Sequence, residues 1–141
     1  MLKLTKRTEY ALLALQYLQH QPANSVTSAR EIAEHYQMPF ELLAKILQQL
    51  VKEDIVLPVK GAKGGYQLSG NLRNISLWNF LETIENSMGI VDCFVNVDCA
   101  SIDNCDIRTP MKRINDALKS TFVDLSVFDI VKPNNLKEVI R

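Results

Sequence analysis

The residues with the most chemistry to offer are three thiols. Cys93, Cys99 and Cys105 stand in the stretch CFVNVDCASIDNC and are the only cysteines among 141 residues. Five residues separate each from the next. An odd number of thiols does not pair off into disulfides, and three ligands are one short of a tetrahedral metal site. The neighbours Asp92, Asn96, Asp98, Asp103, Asn104 and Asp106 suit an exposed loop better than a core. Three readings stand side by side. Free cysteine packs as a small hydrophobe in a core, which those polar neighbours argue against. Zinc usually takes closely paired cysteines, which five-residue gaps do not provide. An iron–sulfur cluster is held by thiolates and tolerates looser spacing. Spacing favours the cluster and leaves zinc and structural thiols open.

Enzyme chemistry finds no foothold. No nucleophile and base stand in a recognisable pattern, and GAKGG at 61–65 lacks the spacing and the Lys-Ser/Thr ending of a phosphate-binding loop. No small-molecule substrate is expected. No apolar run approaches the roughly 18 residues of a membrane span. The basic, then apolar N-terminus is interrupted by Glu9 and makes a poor signal peptide. No membrane partner is therefore expected, and a cytoplasmic location is, where thiols stay reduced.

The elements that must position these thiols follow from periodicity. A helix is predicted over about 6–20, with Tyr10, Leu13, Ala14, Tyr17 and Leu18 on one face. After the loop QPANSV, Ser28-Ala29-Arg30-Glu31 reads as a capping box opening a helix over 29–36. Gln37-Met38 is a tight link, and Pro39 suits the first turn of a third helix, about 39–52. There Leu42, Leu43, Ile46, Leu47, Leu50 and Val51 share one face. Glu41, Ala44, Lys45, Gln48, Gln49 and Lys52 share the other. The segments 55–60 and 66–68 flank the glycine-rich loop and read as a hairpin with Lys60 and Lys63 at its tip. A helix-turn-helix followed by a basic hairpin is a winged helix, in a fold that is mainly α.

The overall charge is zero but uneven. Residues 1–75 carry nine Lys/Arg against six Asp/Glu, a difference of +3, and the rest carries seven against ten, a difference of −3. A basic front half is compatible with double-stranded DNA. The third helix would enter the major groove with Glu41, Ala44, Lys45 and Gln48 nearest the base edges. Glu41 could accept from a cytosine amino group, and Gln48 could pair with adenine. Lys60 and Lys63 would meet phosphate or the minor groove. Ser28, Arg30, Leu42, Gly64 and Tyr66 complete the expected interface.

Further along, Ser76 opens a helix over about 77–86 with Leu77, Phe80, Leu81 and Ile84 inward. Thr109-Pro110 reads as a cap and first turn. From there Met111, Ile114, Leu118, Thr121 and Leu125 recur at alternating gaps of three and four, and Phe122 widens the stripe. That seam is of the coiled-coil kind and predicts a homodimer. Ser126 restarts a short helix, and a tail begins near Lys132-Pro133. The organisation expected is a DNA-binding domain over 1–75, a connecting helix and cysteine loop over 76–108, and a dimerisation helix and tail over 109–141.

Taken together, LTKRTEYALLAL, SAREIAEHYQMPFELLAKILQQLVKEDIV, KGAKGGYQL and the evenly spaced cysteines occur in the order seen in the Rrf-two family of bacterial winged-helix regulators. The chain resembles that family over about residues 1–130. The resemblance implies a homodimer on a partly palindromic promoter site, with a [2Fe–2S] or [4Fe–4S] cluster in each protomer setting DNA affinity. It implies a repressor of iron–sulfur assembly or stress genes. A nitric-oxide-sensing repressor of the same fold is the near alternative, and a metal-free thiol-redox regulator the more distant one. One pattern in the family closes the site with a histidine three residues after the last cysteine; here that position is Arg108, which cannot ligate iron. The histidines present, His20 and His35, read as surface residues. A second pattern uses an acidic residue near the N-terminus of the other protomer, and it falls on Glu9. An acid in a first helical turn is also favoured by the helix dipole alone.

Overall fold

A computed structural model describes residues 3–94 and 99–132 of the chain. Asn96 and Asp98 of the cysteine segment, and the expected tail from Pro133, lie outside the described residues. The order of elements is α1 (Lys6–His20), α2 (Ala29–Tyr36), α3 (Phe40–Lys52), β1 (Val56–Val59), β2 (Gly65–Leu68), α4 (Leu77–Glu85), α5 (Arg108–Asp124) and α6 (Val127–Val131). Short 3-10 turns lie at Leu72–Asn74, Asp92–Phe94 and Ile102–Asn104.

Thr5 caps α1, its hydroxyl accepting from the Thr8 amide at 3.4 Å. Ser28 caps α2 through the Glu31 amide at 3.1 Å. The reciprocal half of the expected capping box does not form. The Glu31 carboxylate instead accepts from the Tyr17 hydroxyl at 2.7 Å, so a local signal is spent on a link between α1 and α2. α2 ends on Gln37 in the left-handed region at φ 54°. Pro39 stands at the cap of α3, one position before the first turn expected for it.

β1 and β2 pair antiparallel from Val56↔Leu68 to Val59↔Gly65. The hairpin is fastened to the α1–α2 loop, because Thr27 and Tyr66 exchange both backbone hydrogen bonds, at 2.9 and 2.7 Å. α5 starts earlier than its Thr109-Pro110 signal, with Ile107 at the cap. Pro110 thus falls third in the helix, where its missing N–H has no intrahelical acceptor to lose. The segment after α5 returns to the start of α4: the Leu77 amide donates to Leu125 at 2.8 Å, and the Val127 amide to Ile75 at 2.9 Å. Ser126 and Asp129 then form a complete capping box on α6.

One apolar core unites these elements. Leu15, Ile32, Leu43, Ile46, Leu47, Leu50, Phe80, Leu81, Val127 and Val131 are essentially sealed from solvent. The core crosses both divisions read from the sequence, since Phe80 lies beyond residue 75 and Val127 beyond residue 108.

The end of α4 is joined to the start of α1 by Glu85. Its carboxylate accepts from the Thr5 amide at 3.0 Å, the Thr5 hydroxyl at 2.8 Å and the Thr8 hydroxyl. Partial burial opposes ionisation, but these three donors outweigh it and hold the carboxyl below its usual 4.5. A carboxyl depressed on folding stabilises above its unfolded pKa, and the contribution is lost as pH falls through the folded one. Glu85→Gln should therefore lower the melting temperature near neutral pH and flatten its fall below about pH 4.5. Thermal melts across the acid range check this; parallel curves for the two proteins would rule out the clamp.

Candidate nucleic-acid interface and thiol loop

The apolar stripe of α3 decides what its other face can do. Leu43, Ile46, Leu47 and Leu50 are buried. Glu41, Lys45 and Gln48, spaced four and three residues apart, are left exposed along one side. Leu42 and Ala44, also expected at the interface, are half-buried, and Leu42 packs against the core. Ser28 is occupied as a helix cap. Arg30 is exposed and its guanidinium lies over the Phe40 ring, 5.5 Å from the centroid. Phe40 is 46% exposed at the first position of α3, one turn before Leu43, where the apolar stripe runs out of covering chain.

The turn after α3 runs through Asp54 at φ 58°, and the Ile55 amide donates back to Leu50 at 3.0 Å. The wing is therefore joined to α3 without a flexible spacer. Lys60 and Lys63 are exposed on it. Gly61 adopts φ 118°, which side chains rarely reach. At Gly64 a Cβ would stand 2.3 Å from the Val59 carbonyl oxygen, so closure of the hairpin requires that glycine whatever it touches outside. Tyr66 is half-buried and serves as the anchor to Thr27.

The thiol loop joins α4 to α5. Cys93, Cys99 and Cys105 are all free and all half-buried. Cys93 sits in the first 3-10 turn, and the Cys99 carbonyl accepts from Ile102 at 3.2 Å. Cys105 closes the second turn. Asp103, Asn104 and Asp106 are exposed, as their composition suggested. All three thiols are thus uncommitted to disulfides. Among the described residues, however, no three His, Cys, Asp or Glu side chains converge into a metal-holding group. Glu9 stands in the first turn of α1, paired with Lys6 at 2.7 Å and partly exposed. Arg108 lies over the Phe94 ring at 6.0 Å, joining the first turn of the loop to the start of α5. His20 and His35 are exposed, and His35 packs edge-on against Tyr17 and Tyr36.

The seam of α5 is divided. Met111, Leu118, Phe122 and Leu125 are half-buried, and the last two pack against their own protomer's core. Asn115 holds the same side by accepting from the Ile90 amide at 3.2 Å. Ile114, at 51% exposure, and Ile107, at 64%, remain uncovered. None of the helix's residues is buried.

The family model described as "Rrf2: Iron-dependent Transcriptional regulator" matches residues 4–133. The chain belongs to the Rrf2 family. Protein aau3 of Rhizobium meliloti (strain 1021) is 30% identical over 135 residues, 93% of this chain and 86% of that protein. The HTH-type transcriptional regulator NsrR of Oceanobacillus iheyensis is 25% identical over 133 residues, 93% of this chain and 90% of the other. CymR, the global cysteine regulator of B. subtilis, superposes with a TM-score of 0.74 at 22% identity, covering 96% of this chain and all of that one. This Rrf2 protein is thus a winged-helix transcriptional regulator and not an enzyme. Members of the family bind DNA, typically as dimers. No described helix is long and apolar enough to cross a membrane.

A wing lysine that meets phosphate would contribute affinity without regard to sequence. Lys63→Ala should weaken binding by a similar factor on all DNA sequences and reduce the slope of log affinity against log salt by about one. Titrations at several salt concentrations on specific and unrelated duplexes test this. A loss confined to one sequence would make Lys63 a base reader instead.

Proposed function

We propose that this Rrf2 regulator is a cytoplasmic homodimeric repressor whose affinity for promoter DNA is set by an iron–sulfur cluster on the thiol loop. The observation that carries the reading is the set of three free, half-buried thiols held between the DNA-reading core and α5. In this reading residues 1–75 read DNA, 76–108 hold the cluster and 109–141 pair the protomers. Glu41, Ala44, Lys45 and Gln48 face the major groove, flanked by Ser28, Arg30 and Leu42. Lys60, Lys63, Gly64 and Tyr66 place the wing.

Dimerisation is supported by the apolar surface of α5. Ile107 and Ile114 are exposed, and Leu118 and Phe122 of the same helix help to wall a cavity of about 300 Å³ with Leu4 and Met88. A surface helix without a buried residue gains little from its own protomer and would be stabilised by a second copy.

Cys93, Cys99 and Cys105 would hold the cluster as thiolates. A bound cluster would supply a centre open to attack by oxygen and nitric oxide. Glu9 of the partner subunit would complete the donor set after leaving Lys6. A carboxylate is a hard donor among soft ones and is the ligand most readily displaced. While engaged, Glu9 would tie α1 of one protomer to the loop of the other and hold the two α3 helices about one DNA turn apart. Its release would shift the dimer towards weaker-binding arrangements. The target genes in this reading serve iron–sulfur assembly or stress, with nitric-oxide sensing as a variant of the same switch.

A second reading is favoured by the free state of all three thiols. In it the free thiols act directly as a redox switch without metal. Anaerobic purification separates the two. The expected protein is brown, with visible absorbance, bound iron and acid-labile sulfide, and Glu9→Ala should shorten the cluster's lifetime while apo-protein still binds DNA. A colourless protein whose DNA affinity follows thiol oxidation alone would establish the second reading.

A further inference from the structure

Gln49 belongs by periodicity to the solvated face of α3, yet it is half-buried. Its side-chain oxygen accepts from Arg7 Nε at 3.0 Å and from Arg7 Nη2. Its side-chain nitrogen donates to the Thr83 carbonyl at 3.0 Å. Both ends of the amide are therefore engaged, which fixes its orientation. Among the described residues, Gln49 is the α3 side chain that hydrogen-bonds to α1 and α4. The other contacts of α3 with the core are apolar and tolerate small shifts, whereas these bonds are directional.

Arg7 also lies in the turn of α1 that Glu85 clamps through Thr5 and Thr8. Glu9 stands two residues further on in the same turn. Gln48, next to Gln49, is exposed on the reading face. The first turn of α1 is thus bonded to the middle of the reading helix through one amide.

We propose that Arg7 and Gln49 are positioning residues that couple the first turn of α1 to the seating of α3 in the major groove. This rests on the switch proposed above for the identity of the signal: a pull on Glu9 moves Arg7, and Gln49 passes the movement to α3. Thr83 is the fixed point against which the amide turns. The coupling needs no contact between Arg7 or Gln49 and DNA.

The test uses full-length Arg7→Ala, Gln49→Ala, Gln49→Glu and the double alanine variant. Each is assayed for binding to a promoter duplex in cluster-loaded and cluster-free states, with melting temperature as a folding control. Coupling of this kind spans about 5- to 150-fold in affinity. The wild-type ratio of loaded to cluster-free affinity should collapse to within about twofold of one in both alanine variants, and the double variant should lose no more than either. Gln49→Glu keeps the acceptor for Arg7 and removes the donor to Thr83, so its ratio should be intermediate. Equal weakening of both states with the ratio preserved, or additive losses in the double variant, would overturn the coupling.

A second measurement separates its failure from that of the switch. In cluster-free protein, Arg7→Ala should speed amide exchange in α3 while leaving the α4 amides protected. If the wild-type protein shows no dependence on the cluster, the switch reading fails. Unchanged exchange in α3 would overturn the coupling itself.

Discussion

Burial of Leu43, Ile46, Leu47 and Leu50 is the constraint on which the rest of the molecule depends. Those side chains are wholly inside, and each carries about 1.5–3 kcal/mol of transfer free energy relative to exposure. No alternative rotation of α3 keeps them covered. The rotation of the helix therefore determines that Glu41, Lys45 and Gln48 face out, and the strand that follows leaves in a direction set by the Asp54 turn. The wing is a consequence of that turn, pinned at its far side by Thr27 and Tyr66.

Apolar burial sets the rotation of the helices, but directional bonds set their register. Glu31 to Tyr17 joins α2 to α1, Glu85 joins α4 to the start of α1, and Gln49 joins α3 to both. Most of these links meet on α1, which leads into the core and begins at the position proposed to sense the cluster. That concentration makes α1 the element through which a change at a protomer boundary could reach the reading helix. The opposite end of the chain closes the same core: α6 inserts Val127 and Val131, so α5 is tethered at its C-terminal end while its flank stays open.

Helix boundaries were legible where a cap and a stripe agreed. α1 and α2 match their predicted limits, and Ser126 opens α6 as expected. The start of α5 was misplaced because Thr109-Pro110 is a strong local signal that the chain does not use; Ile107 caps the helix instead. The capping box at Ser28 was half right, since Glu31 is taken by Tyr17 from α1, fourteen residues earlier. Gln49 falls on the outer face by periodicity for the same kind of reason. Its partners, Arg7 and Thr83, come from distant sequence, and a periodicity of 3.6 does not tell a solvated polar residue from a bonded one.

By itself the sequence determined the winged-helix architecture, the face of α3 that looks outward, the basic wing and the family, because each depends on local periodicity, turn chemistry or motif order. It also determined that three thiols share one loop with Arg108 beyond them, which leaves no local histidine to complete a metal site. Only the tertiary structure decided that the α5 seam is divided between the protomer's own core and an exposed flank, and that one core spans residues read as separate regions. It alone showed Glu85 and Gln49 tying α4 and α3 to the first turn of α1. Those features depend on pairs up to eighty residues apart, and their geometry exists only once the helices have packed.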